Sequence, residues 1–523
     1  MTVLLPAVPV TPAGAPGRLG PRLVLRADGS PAIGLGHVVR LLALADILRS
    51  QFVETVYAVR GPIGLLQELL AGLELRVEEL PEQPLTAEAE WLRQHFLRPD
   101  DVVVLDGYGF DFAYQQAVRS KARRLVCLDD LHAFPFAADA VLNPAGGVFS
   151  SSYVLRQPGA RLLAGPAFTP LRAGFWQSEA LAPQATSLAT AADEAPGSPM
   201  VLLCLGGTDP HRRTQQVAAD LLALPPAAMG QLHVVVGSAY QGWNALCAWA
   251  ALQGRLVLHR ALPAAGLAAL MRRCGAAVLS PSTVSYEYCA VGGGLLFTLP
   301  TADNQHDLDH FLRGAGLALP YPSAANVLAS PDMIRISNQL RAAQHQYFDG
   351  NAPVRLRQAF AALQLPLPGF RLRPVQTADL ALLLAWANDA AVRRQSFSEG
   401  AISPATHTDW LQTRLADPNA LLLLAEDGAT AAPLGLIRFQ LDGAVATLSY
   451  QLAAEWRGRG LSAPLLVAGT EAAQAHFAGL RRVQGHVRAT NPASVRAFER
   501  AGFAAEAPAA DAPAGSLTFV WIA

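Results

Sequence analysis

The sequence lacks two features that would place it at a membrane or on nucleic acid. Although 51% of its 523 residues are hydrophobic, they form no uninterrupted apolar run of the roughly 18 or more residues that a membrane-spanning helix needs. No charge of one sign dominates either, because 40 basic and 41 acidic residues leave a net charge of −1. This balance gives no electrostatic footprint for nucleic acid or an anionic membrane, so we expect neither as a partner.

Paired cysteines and clustered metal ligands are also missing. The five cysteines form no CxxC pair and mostly lie in apolar runs, which indicates reduced core residues of a cytoplasmic protein. The histidines are scattered, and the one pair at helical spacing, His306 and His310, lacks a suitable carboxylate arrangement, so we expect no metal. Residues 1–20 have no basic region and are rich in proline, which predicts a disordered leader rather than a signal peptide.

The chain does contain two successive alternations of apolar β-rich runs with helical patterns. The first spans residues 21–175 and the second residues 199–365, with an Ala-, Ser- and Pro-rich linker at 176–198. Continuous apolar strands separated by helices are typical of a parallel sheet that is covered on both faces. We therefore predict an α/β protein with two Rossmann-like domains, whose ligands bind at the carboxyl ends of the strands.

The last part of the chain, residues 369–523, has a different pattern. Three consecutive strand candidates end near residue 453, and a helix, a strand, a further helix and a last strand follow them. Consecutive antiparallel strands mixed with helices indicate an α+β domain.

A glycine-rich turn follows the first predicted strand in the stretch "LRADGSPAIGLGHVVR" (25–40). Gly34 and Gly36 allow a tight turn, and the helix that follows directs its positive end towards the ligand edge of the sheet. A Walker motif would place Lys and Ser or Thr at this helix start, but here His37 and Val38 stand there. The site therefore favours an anion beside a titratable imidazole, although His37 as a mere helix cap remains open.

The second domain has a similar set of features. "CLGGTDP" (204–210) is another strand followed by a glycine turn, and "LSPSTVSYEYC" (279–289) places hydroxyl groups at a helix start. Glu287 lies one turn into that helix, and "DNQ" (303–305) follows the next strand. Hydroxyls and helix N–H groups suit phosphates and a carboxylate suits a ribose diol, although each feature alone is also typical of ordinary helix capping.

Together these stretches resemble a known family. "RADGSPAIGLGHVVRLLALA", "LDD" (128–130), "LNP" (142–144), "GPAFTPLR" (165–172), "CLGGTD" and "DNQ" follow in order the landmarks of the UDP-2,4-diacetamido-2,4,6-trideoxy-β-L-altropyranose hydrolases. That family removes UDP in pseudaminic acid biosynthesis and has the glycosyltransferase-B fold. The resemblance covers about residues 22–345, and G-x-G-H-x-x-R is its most specific motif.

The resemblance implies inverting hydrolysis of a sugar–UDP bond with water as the nucleophile. His37 would be the catalytic histidine, Asn304 would contact the substrate near the reacting centre, and Glu287 would hold the ribose. The remaining substrate-binding residues would be Asp28, Gly36, Arg40, Gly206, Gly207, Ser282, Thr283 and Gln305. A neutral imidazole can deprotonate water near pH 7, and helix ends and N–H groups can stabilise the departing diphosphate, so the residues agree with this chemistry.

The last domain contains a second glycine turn, "EWRGRGLS" (455–462), between a strand and a helix. Exposed N–H groups at a helix start beside arginines make a pyrophosphate cradle. With "NPASVRAFERAGF" (491–503), this turn resembles the GNAT acetyltransferases over roughly residues 369–523. The resemblance implies acetyl-CoA as co-substrate, and the implied cofactor-binding residues are Leu452, Arg457, Gly458, Arg459, Gly460, Leu461, Ser462 and Asn491.

One residue departs from the GNAT pattern. Phe498 stands where many of these enzymes carry a tyrosine that protonates the departing thiolate, and phenylalanine cannot do so. Tyr450 on the preceding strand and Glu399 in the expected substrate loop are therefore alternative candidates for proton transfer.

The stretch 382–411 resembles the N-acetyltransferase that modifies the 4-amino group of a UDP-linked sugar in the same pathway. The preferred interpretation is a bifunctional cytoplasmic enzyme, a UDP-sugar hydrolase joined to an acetyl-CoA-dependent N-acetyltransferase, with a UDP-sugar as its small-molecule partner. A UDP-sugar glycosyltransferase shares the first fold, and an acetyltransferase for protein amines shares the second pattern. A sugar-nucleotide-binding regulator without turnover is the non-enzymatic alternative.

Overall fold

The computed structural model describes most of the chain, and three sheets organise it. Its described residues are 21–28, 36–60, 73–176, 198–206, 209, 212–238, 240–398, 400–508 and 512–523. The first two sheets are entirely parallel, and the third is mixed. This arrangement confirms the predicted fold class of two parallel-sheet α/β domains followed by an α+β domain.

The first sheet has seven strands in the order β3-β2-β1-β4-β5-β6-β7. The strands are β1 (Arg22–Arg26), β2 (Glu54–Val59), β3 (Arg76–Glu79), β4 (Val102–Asp106), β5 (Arg124–Leu128), β6 (Ala140–Asn143) and β7 (Arg161–Ala164). The described helices of this unit are α1 (Gly36–Leu48), α2 (Leu85–Trp91) and α3 (Phe112–Arg119). The central strands β1 and β4 are fully buried because helices cover both faces of a parallel sheet.

The second sheet has six strands in the order β10-β9-β8-β11-β12-β13. The strands are β8 (Val201–Cys204), β9 (Leu232–Val236), β10 (Leu256–Arg260), β11 (Ala276–Leu279), β12 (Leu295–Thr298) and β13 (Leu319–Pro320). The helices are α4 (Arg213–Leu222), α5 (Trp243–Ala250), α6 (Ala264–Arg273), α7 (Thr283–Ala290), α8 (His306–Gly314), α9 (Ala324–Leu328), α10 (Met333–Tyr347) and α11 (Ala352–Gln364). In both parallel sheets the strand order reverses beside the first strand of the unit, which places a ligand crevice at the carboxyl ends of β1 and β4 and of β8 and β11.

Helix α11 follows the second sheet in the chain, within the predicted bounds 199–365, and it packs between the first and third units. Its apolar face, including Leu356 and Phe360, belongs to the same buried core as α1 and the first sheet. At its other side Arg355 Nε donates to the backbone oxygen of Ala523, 3.1 Å away. The carbonyls at its C-terminal end accept hydrogen bonds from Arg124. Helix α11 therefore fixes the position of the third unit against the first.

The third sheet has seven strands in the order β14-β15-β16-β17-β18-β20-β19. The strands are β14 (Phe370–Pro374), β15 (Ala420–Asp427), β16 (Pro433–Asp442), β17 (Val445–Leu452), β18 (Arg482–Arg488), β19 (Ala504–Glu506) and β20 (Ser516–Ile522). Its helices are α12 (Leu380–Ala387), α13 (Ala390–Gln395), α14 (Pro404–Ala416), α15 (Ser462–His476) and α16 (Pro492–Arg500). No helix in the described part of the chain is both long enough and apolar enough to cross a membrane.

The parallel neighbours β17 and β18 separate partway along their length. Their pairing runs from Val445 with Arg482 to Leu448 with Gly485, whereas the strands continue to Leu452 and Arg488. Unpaired strand edges leave N–H and C=O groups free to bond an extended ligand. The separation therefore opens a cleft between the two strands.

Candidate functional site

The first candidate site lies where α1 begins, beside the carboxyl end of β4. His37 is 7% exposed, and its Nδ1 lies 2.6 Å from Oδ1 of Asp106, the last residue of β4. Burial by itself raises the pKa of the Asp106 carboxyl, but the nearby Arg40 and the hydrogen bond from His37 outweigh it and lower that pKa. Because the Asp106 carboxylate can only accept, its contact with Nδ1 selects the tautomer that carries the proton on Nδ1 and has the lone pair on Nε2.

Arg40, one helical turn after His37, holds this pair in place. Its Nε and Nη2 both lie 2.5 Å from the two carboxylate oxygens of Asp106, and its Nη1 lies 3.2 Å from Oδ2 of Asp130. The ring of Tyr108 packs edge-on against the imidazole with 4.8 Å between ring centroids. The geometry is that of a histidine base oriented by a carboxylate, which is the arrangement general-base catalysis needs.

Asp28, predicted beside the substrate, belongs to a second ion-pair network at the end of β1. Its carboxylate accepts hydrogen bonds from Arg26 and Arg60. Arg26 is 1% exposed and also donates to both oxygens of Glu88, which is fully buried and accepts a hydrogen bond from the Tyr114 hydroxyl. Asp28 therefore completes the charge balance around a buried arginine.

Several predicted phosphate-binding groups lie at the carboxyl edge of the second sheet. Gly206 follows β8 with a φ of 99°, which favours glycine. Ser282 precedes α7, which begins at Thr283, and its hydroxyl lies 3.2 Å from that of Ser280. Gln305 uses its side-chain oxygen to accept a hydrogen bond from the Thr301 backbone N–H. Gly207 lies outside the described residues, as does the side chain of Asn304.

Glu287, predicted to hold a ribose, is buried in α7 and is paired. Arg172 donates from Nε and Nη2 to Glu287 Oε1 at 2.9 and 2.7 Å. Burial raises the pKa of the Glu287 carboxyl, and the Arg172 charge only partly opposes this shift. Arg172 lies in the segment that leaves the first domain, so this ion pair joins the two parallel-sheet units.

The ligand edges of the two parallel sheets also contact each other next to this ion pair. The backbone N–H of Gly146, in the loop after β6, donates to the Tyr286 hydroxyl of α7 at 3.2 Å. Gly146 also lies so close to the Phe311 ring of α8 that a Cβ atom there would approach it to 2.0 Å. These contacts bring the loops of both ligand edges together. Among the described residues, no hydrogen bond or ion pair joins His37 directly to the second unit.

A cleft of about 1110 Å³ opens in the third unit where β17 and β18 separate. Leu452, Arg457, Gly458, Ser462 and Asn491 line it. Five of the eight predicted cofactor-binding residues therefore border one cavity. The structure places the remaining three, Arg459, Gly460 and Leu461, in the same turn.

The turn before α15 has the backbone that its two glycines permit. Gly458 and Gly460 both have a φ of 76°, a left-handed conformation that glycine adopts readily and that is found in turns whose N–H groups bind anions. Arg459 lies over the Trp456 ring at 4.8 Å. Arg457 donates to the Leu452 carbonyl and pairs with Asp389, each at 3.0 Å. The turn fits a pyrophosphate, and Arg457 braces it against α13.

Two hydrogen-bonded hydroxyl groups, those of Tyr450 and Ser494, line the cleft beside Phe498. The Tyr450 hydroxyl lies 3.1 Å from Ser494 Oγ, and the side chain of Asn491 holds Ser494 by accepting from its backbone N–H. The rings of Tyr450 and Phe498 are 6.0 Å apart. Burial raises the pKa of the Tyr450 phenol, with hydrogen bonds to Ser494 and Ser462 acting against that rise. Tyr450 is therefore a protonated donor at neutral pH. Glu399, the other candidate for proton transfer, lies outside the described residues.

The opposite wall of the cleft is basic and aromatic. Arg438 of β16 lies over the Trp410 ring of α14 at 4.9 Å, and His407 stacks on the same tryptophan at 5.1 Å. His407 is 5% exposed, and burial together with the charge of Arg438 lowers the pKa of its imidazole. His407 is therefore neutral at physiological pH.

Three residues that shape these sites were not singled out from the sequence. Asp106 lies inside the predicted strand 101–108, Arg172 ends a quoted motif, and Arg438 lies inside the predicted strand 434–443. A carboxylate at the carboxyl end of a buried parallel strand is a usable signal for Asp106. The other two depend on contacts between distant parts of the chain. No group of three or more potential metal ligands occurs within the ranges that the structure describes.

Comparison with known proteins gives a family for the third unit. Residues 370–504 match the family model described as "Acetyltransferase (GNAT) domain". Residues 370–504 are therefore a GNAT acetyltransferase domain, whose co-substrate is acetyl-CoA. Residues before 370 lie outside this match. The search of curated proteins found no match to the chain.

Solved structures with similarity to the chain include two kinds of acetyltransferase. The spermidine N-acetyltransferase from Vibrio cholerae in complex with CoA and spermine is 18% identical, covering 29% of this chain and 95% of its own, with a TM-score of 0.27. The aminoglycoside acetyltransferase AAC(6')-Ib in complex with coenzyme A and kanamycin is 21% identical, covering 29% and 94%, with a TM-score of 0.26.

Proposed function

We propose that this protein performs two consecutive reactions on one nucleotide sugar in pseudaminic acid biosynthesis. The GNAT domain acetylates the 4-amino group of a UDP-linked amino sugar. The two parallel-sheet domains then hydrolyse the bond between the diacetamido sugar and UDP. The proposal combines the resemblance of residues 22–345 to the UDP-sugar hydrolases with the acetyltransferase family of residues 370–504.

The pairing of His37 with Asp106 is the observation that carries the hydrolase proposal. In the proposed step, Nε2 of His37 accepts a proton from a water molecule whose oxygen attacks the anomeric carbon. The C–O bond to the diphosphate breaks, and its electron pair leaves with UDP. The ionised Asp106 stabilises the imidazolium that forms, and Arg40 keeps Asp106 ionised and fixed in direction.

The second domain supplies the site for the leaving group in this proposal. Gly206, Ser282 and the N-terminus of α7 would meet the charge of the diphosphate with N–H and hydroxyl groups. Glu287 would hold the ribose, with Arg172 orienting its carboxylate. A diphosphate whose charge is met in this way leaves readily, so no protein acid is needed on the leaving oxygen.

In the GNAT domain, bound acetyl-CoA supplies the acetyl group as a thioester. The amine nitrogen attacks its carbonyl carbon, the C–S bond breaks, and the sulfur takes the electron pair. We assign Tyr450 as the donor that protonates this sulfur, because its phenol is held in the cleft by Ser494 and lies beside Phe498. The proton lost by the amine passes to solvent.

Proton NMR of the purified protein with the UDP-linked 4-amino sugar tests both reactions, run with and without acetyl-CoA. The proposal expects consumption of acetyl-CoA, followed by the appearance of free diacetamido sugar and UDP. A parallel sample of the His37→Ala variant should stop at the acetylated UDP-sugar. If UDP stays attached in the wild type even with the pre-acetylated sugar, the hydrolase assignment fails.

The same experiment separates the alternatives. A glycosyltransferase would release UDP only when an acceptor sugar is added. An acetyltransferase for protein amines would consume acetyl-CoA with an N-terminal peptide and leave the UDP-sugar unchanged.

A further inference from the structure

The cleft of the GNAT domain has a strongly uneven charge. Five arginines line it, and none of its described lining residues is an aspartate or glutamate. The five are Arg393, Arg394, Arg438, Arg457 and Arg488. A groove lined by one sign of charge attracts ligands of the opposite sign and repels those of its own.

Three of these arginines already form hydrogen bonds or an ion pair with residues of the domain itself. Arg457 pairs with Asp389, while Arg393 donates to Ser398 and Arg488 to the carbonyl of Ser396. They brace α13 and the segment after it. Arg394 and Arg438 are both exposed to solvent. Arg438 lies on β16, takes no part in this bracing and is held by contacts with the cleft wall itself.

Arg438 is fixed but not neutralised. Its Nε donates to Ser449 Oγ at 2.5 Å, and its guanidinium lies over the Trp410 ring at 4.9 Å. Within the described residues it has no ion pair with a carboxylate. A guanidinium anchored through Nε over an aromatic ring presents its remaining N–H groups as a fork that matches phosphate oxygens.

The register of the sheet places Arg438 on the acceptor side of the cleft. Arg438 pairs with Ser449 across β16 and β17, and their side chains lie on the face covered by α14. Tyr450 follows on the opposite face and packs in the core beneath α15 and α16. The proposed proton donor for the thiolate and Arg438 therefore occupy opposite sides of the opening.

We propose that Arg438 binds a phosphate group of the acetyl acceptor, so that this domain selects an anionic amine and disfavours polyamines and other polycations. This inference rests on the proposed acetyl transfer to a nucleotide-linked sugar. It identifies Arg438 as the residue that recognises the negative charge of the nucleotide. The contact with the Trp410 ring and the hydrogen bond to Ser449 hold the guanidinium in position.

Steady-state acetylation with two acceptors that differ only in the nucleotide tests this assignment. The probes are the UDP-linked 4-amino sugar and the same amino sugar without UDP, with spermine as a polycationic third acceptor. The variants are Arg438→Gln and Arg438→Lys in the full chain. The matched control is Arg414→Gln, which removes a nearby arginine of α14 that pairs with Asp417 and lies outside the cleft lining.

We expect Arg438→Gln to lower kcat/KM for the UDP-linked sugar about 10- to 100-fold, mainly through KM, because a charge-assisted hydrogen bond is lost. The free sugar should change less than about threefold, Arg438→Lys should recover part of the loss, and Arg414→Gln should match the wild type. The dissociation constant of CoA, measured by calorimetry, should stay within about twofold.

Two results would overturn the assignment while leaving acetyl transfer intact. One is an equal loss for both sugars or a weakened affinity for CoA, which would give Arg438 a structural or cofactor role. The other is a wild type that acetylates spermine or the free sugar as well as the UDP-linked sugar. If the wild type acetylates neither sugar, the proposed acceptor itself fails, and the assignment of Arg438 fails with it.

Discussion

The His37 site and the GNAT cleft differ in whether their charged side chains are paired with opposite charges. Around His37, Arg40 meets Asp106 and Asp130, and in the neighbouring network Arg26 meets Glu88 and Asp28. In the GNAT cleft, five arginines and no carboxylate are found among the described lining residues. Within the described part of the chain, Arg438 contacts a hydroxyl and an indole ring but forms no ion pair. Mutual pairing holds a reacting group in one orientation, whereas an uncompensated cation leaves a position for an anionic ligand.

This contrast follows from how each site is covered. Asp106 and Glu88 are fully buried in the first unit, where an unpaired charge would be too costly to keep. The GNAT cleft stays open because β17 and β18 separate, and solvent screens its arginines until a ligand enters. Helix α11 packs against both units, so the two sites belong to one connected body although their chemistry is separate.

The largest expected effect comes from removing the base of the paired site. His37→Ala should lower the rate of UDP release by about 10²- to 10⁴-fold. Among the described residues, the other side chain bonded to Asp106 is Arg40, which cannot act as a base. UDP binding should change by only a few-fold, and acetyl transfer should be unaffected. Coupled detection of UDP measures the rate, and retained turnover would remove His37 from the mechanism.

The second prediction concerns stability and compares the two regions directly. Glu88→Gln leaves Arg26 buried with only Asp28 as an anion, so the free energy of unfolding of the first unit should fall by about 3 kcal/mol or more. Arg438→Gln in the cleft should change stability by less than about 1 kcal/mol, since no ion pair is broken. Urea unfolding of the full chain measures both. Equal losses would contradict the contrast between the two sites.

The third prediction concerns the turn before α15. Gly460→Val forces a β-branched residue to a φ of 76°, which costs about 1–3 kcal/mol and displaces the N–H groups of the turn. Affinity for CoA should fall at least about tenfold while hydrolysis of the pre-acetylated UDP-sugar continues.

Gly443→Val is the matched control for this variant. Gly443 has a φ of 59° in the turn between β16 and β17, and neither glycine has an atom near its missing Cβ. It should show the same backbone cost without loss of CoA affinity. If Gly460→Val abolished hydrolysis as well, the two activities would not be independent.

The sequence allowed much of the fold to be predicted, because buried parallel strands are continuous apolar runs such as those of β1, β4 and β11. It did not indicate β3, whose residues "RVEE" are polar and partly exposed at the sheet edge. Short edge strands form through pairing with a neighbour rather than through their own apolar pattern.

The candidate site was predicted only where a local motif existed. His37 and the glycines of the 458–460 turn could be found from spacing, since a strand, a turn and a helix are adjacent in the chain. Asp106 is 69 residues from His37, and only the strand order, with β4 beside β1, brings them together. Arg172 and Glu287 are 115 residues apart and belong to different units. Side-chain pairs of this kind depend on topology, which periodicity does not encode.

The last prediction concerns Tyr450, where the hydroxyl rather than the ring is tested. Tyr450→Phe keeps the contact with Phe498 and removes only the hydroxyl with its hydrogen bonds to Ser494 and Ser462, so acetyl transfer should fall about 10- to 100-fold with little change in CoA affinity. Because burial raises the pKa of this phenol above its usual value of 10.0, Tyr450 stays protonated as a donor up to that pH. Wild-type acetyl transfer should therefore show no loss from this group as the pH rises from 7 to about 9.5.

The pH profile of kcat with saturating acetyl-CoA measures this behaviour, and Ser494→Ala serves as the control that keeps the phenol but removes its partner. That variant should retain most of the rate, since the tyrosine still carries its proton. A Tyr450→Phe enzyme as fast as the wild type would show that water protonates the thiolate. The open cleft would then differ from the His37 site in a second respect, because its proton transfer would come from solvent rather than from a positioned side chain.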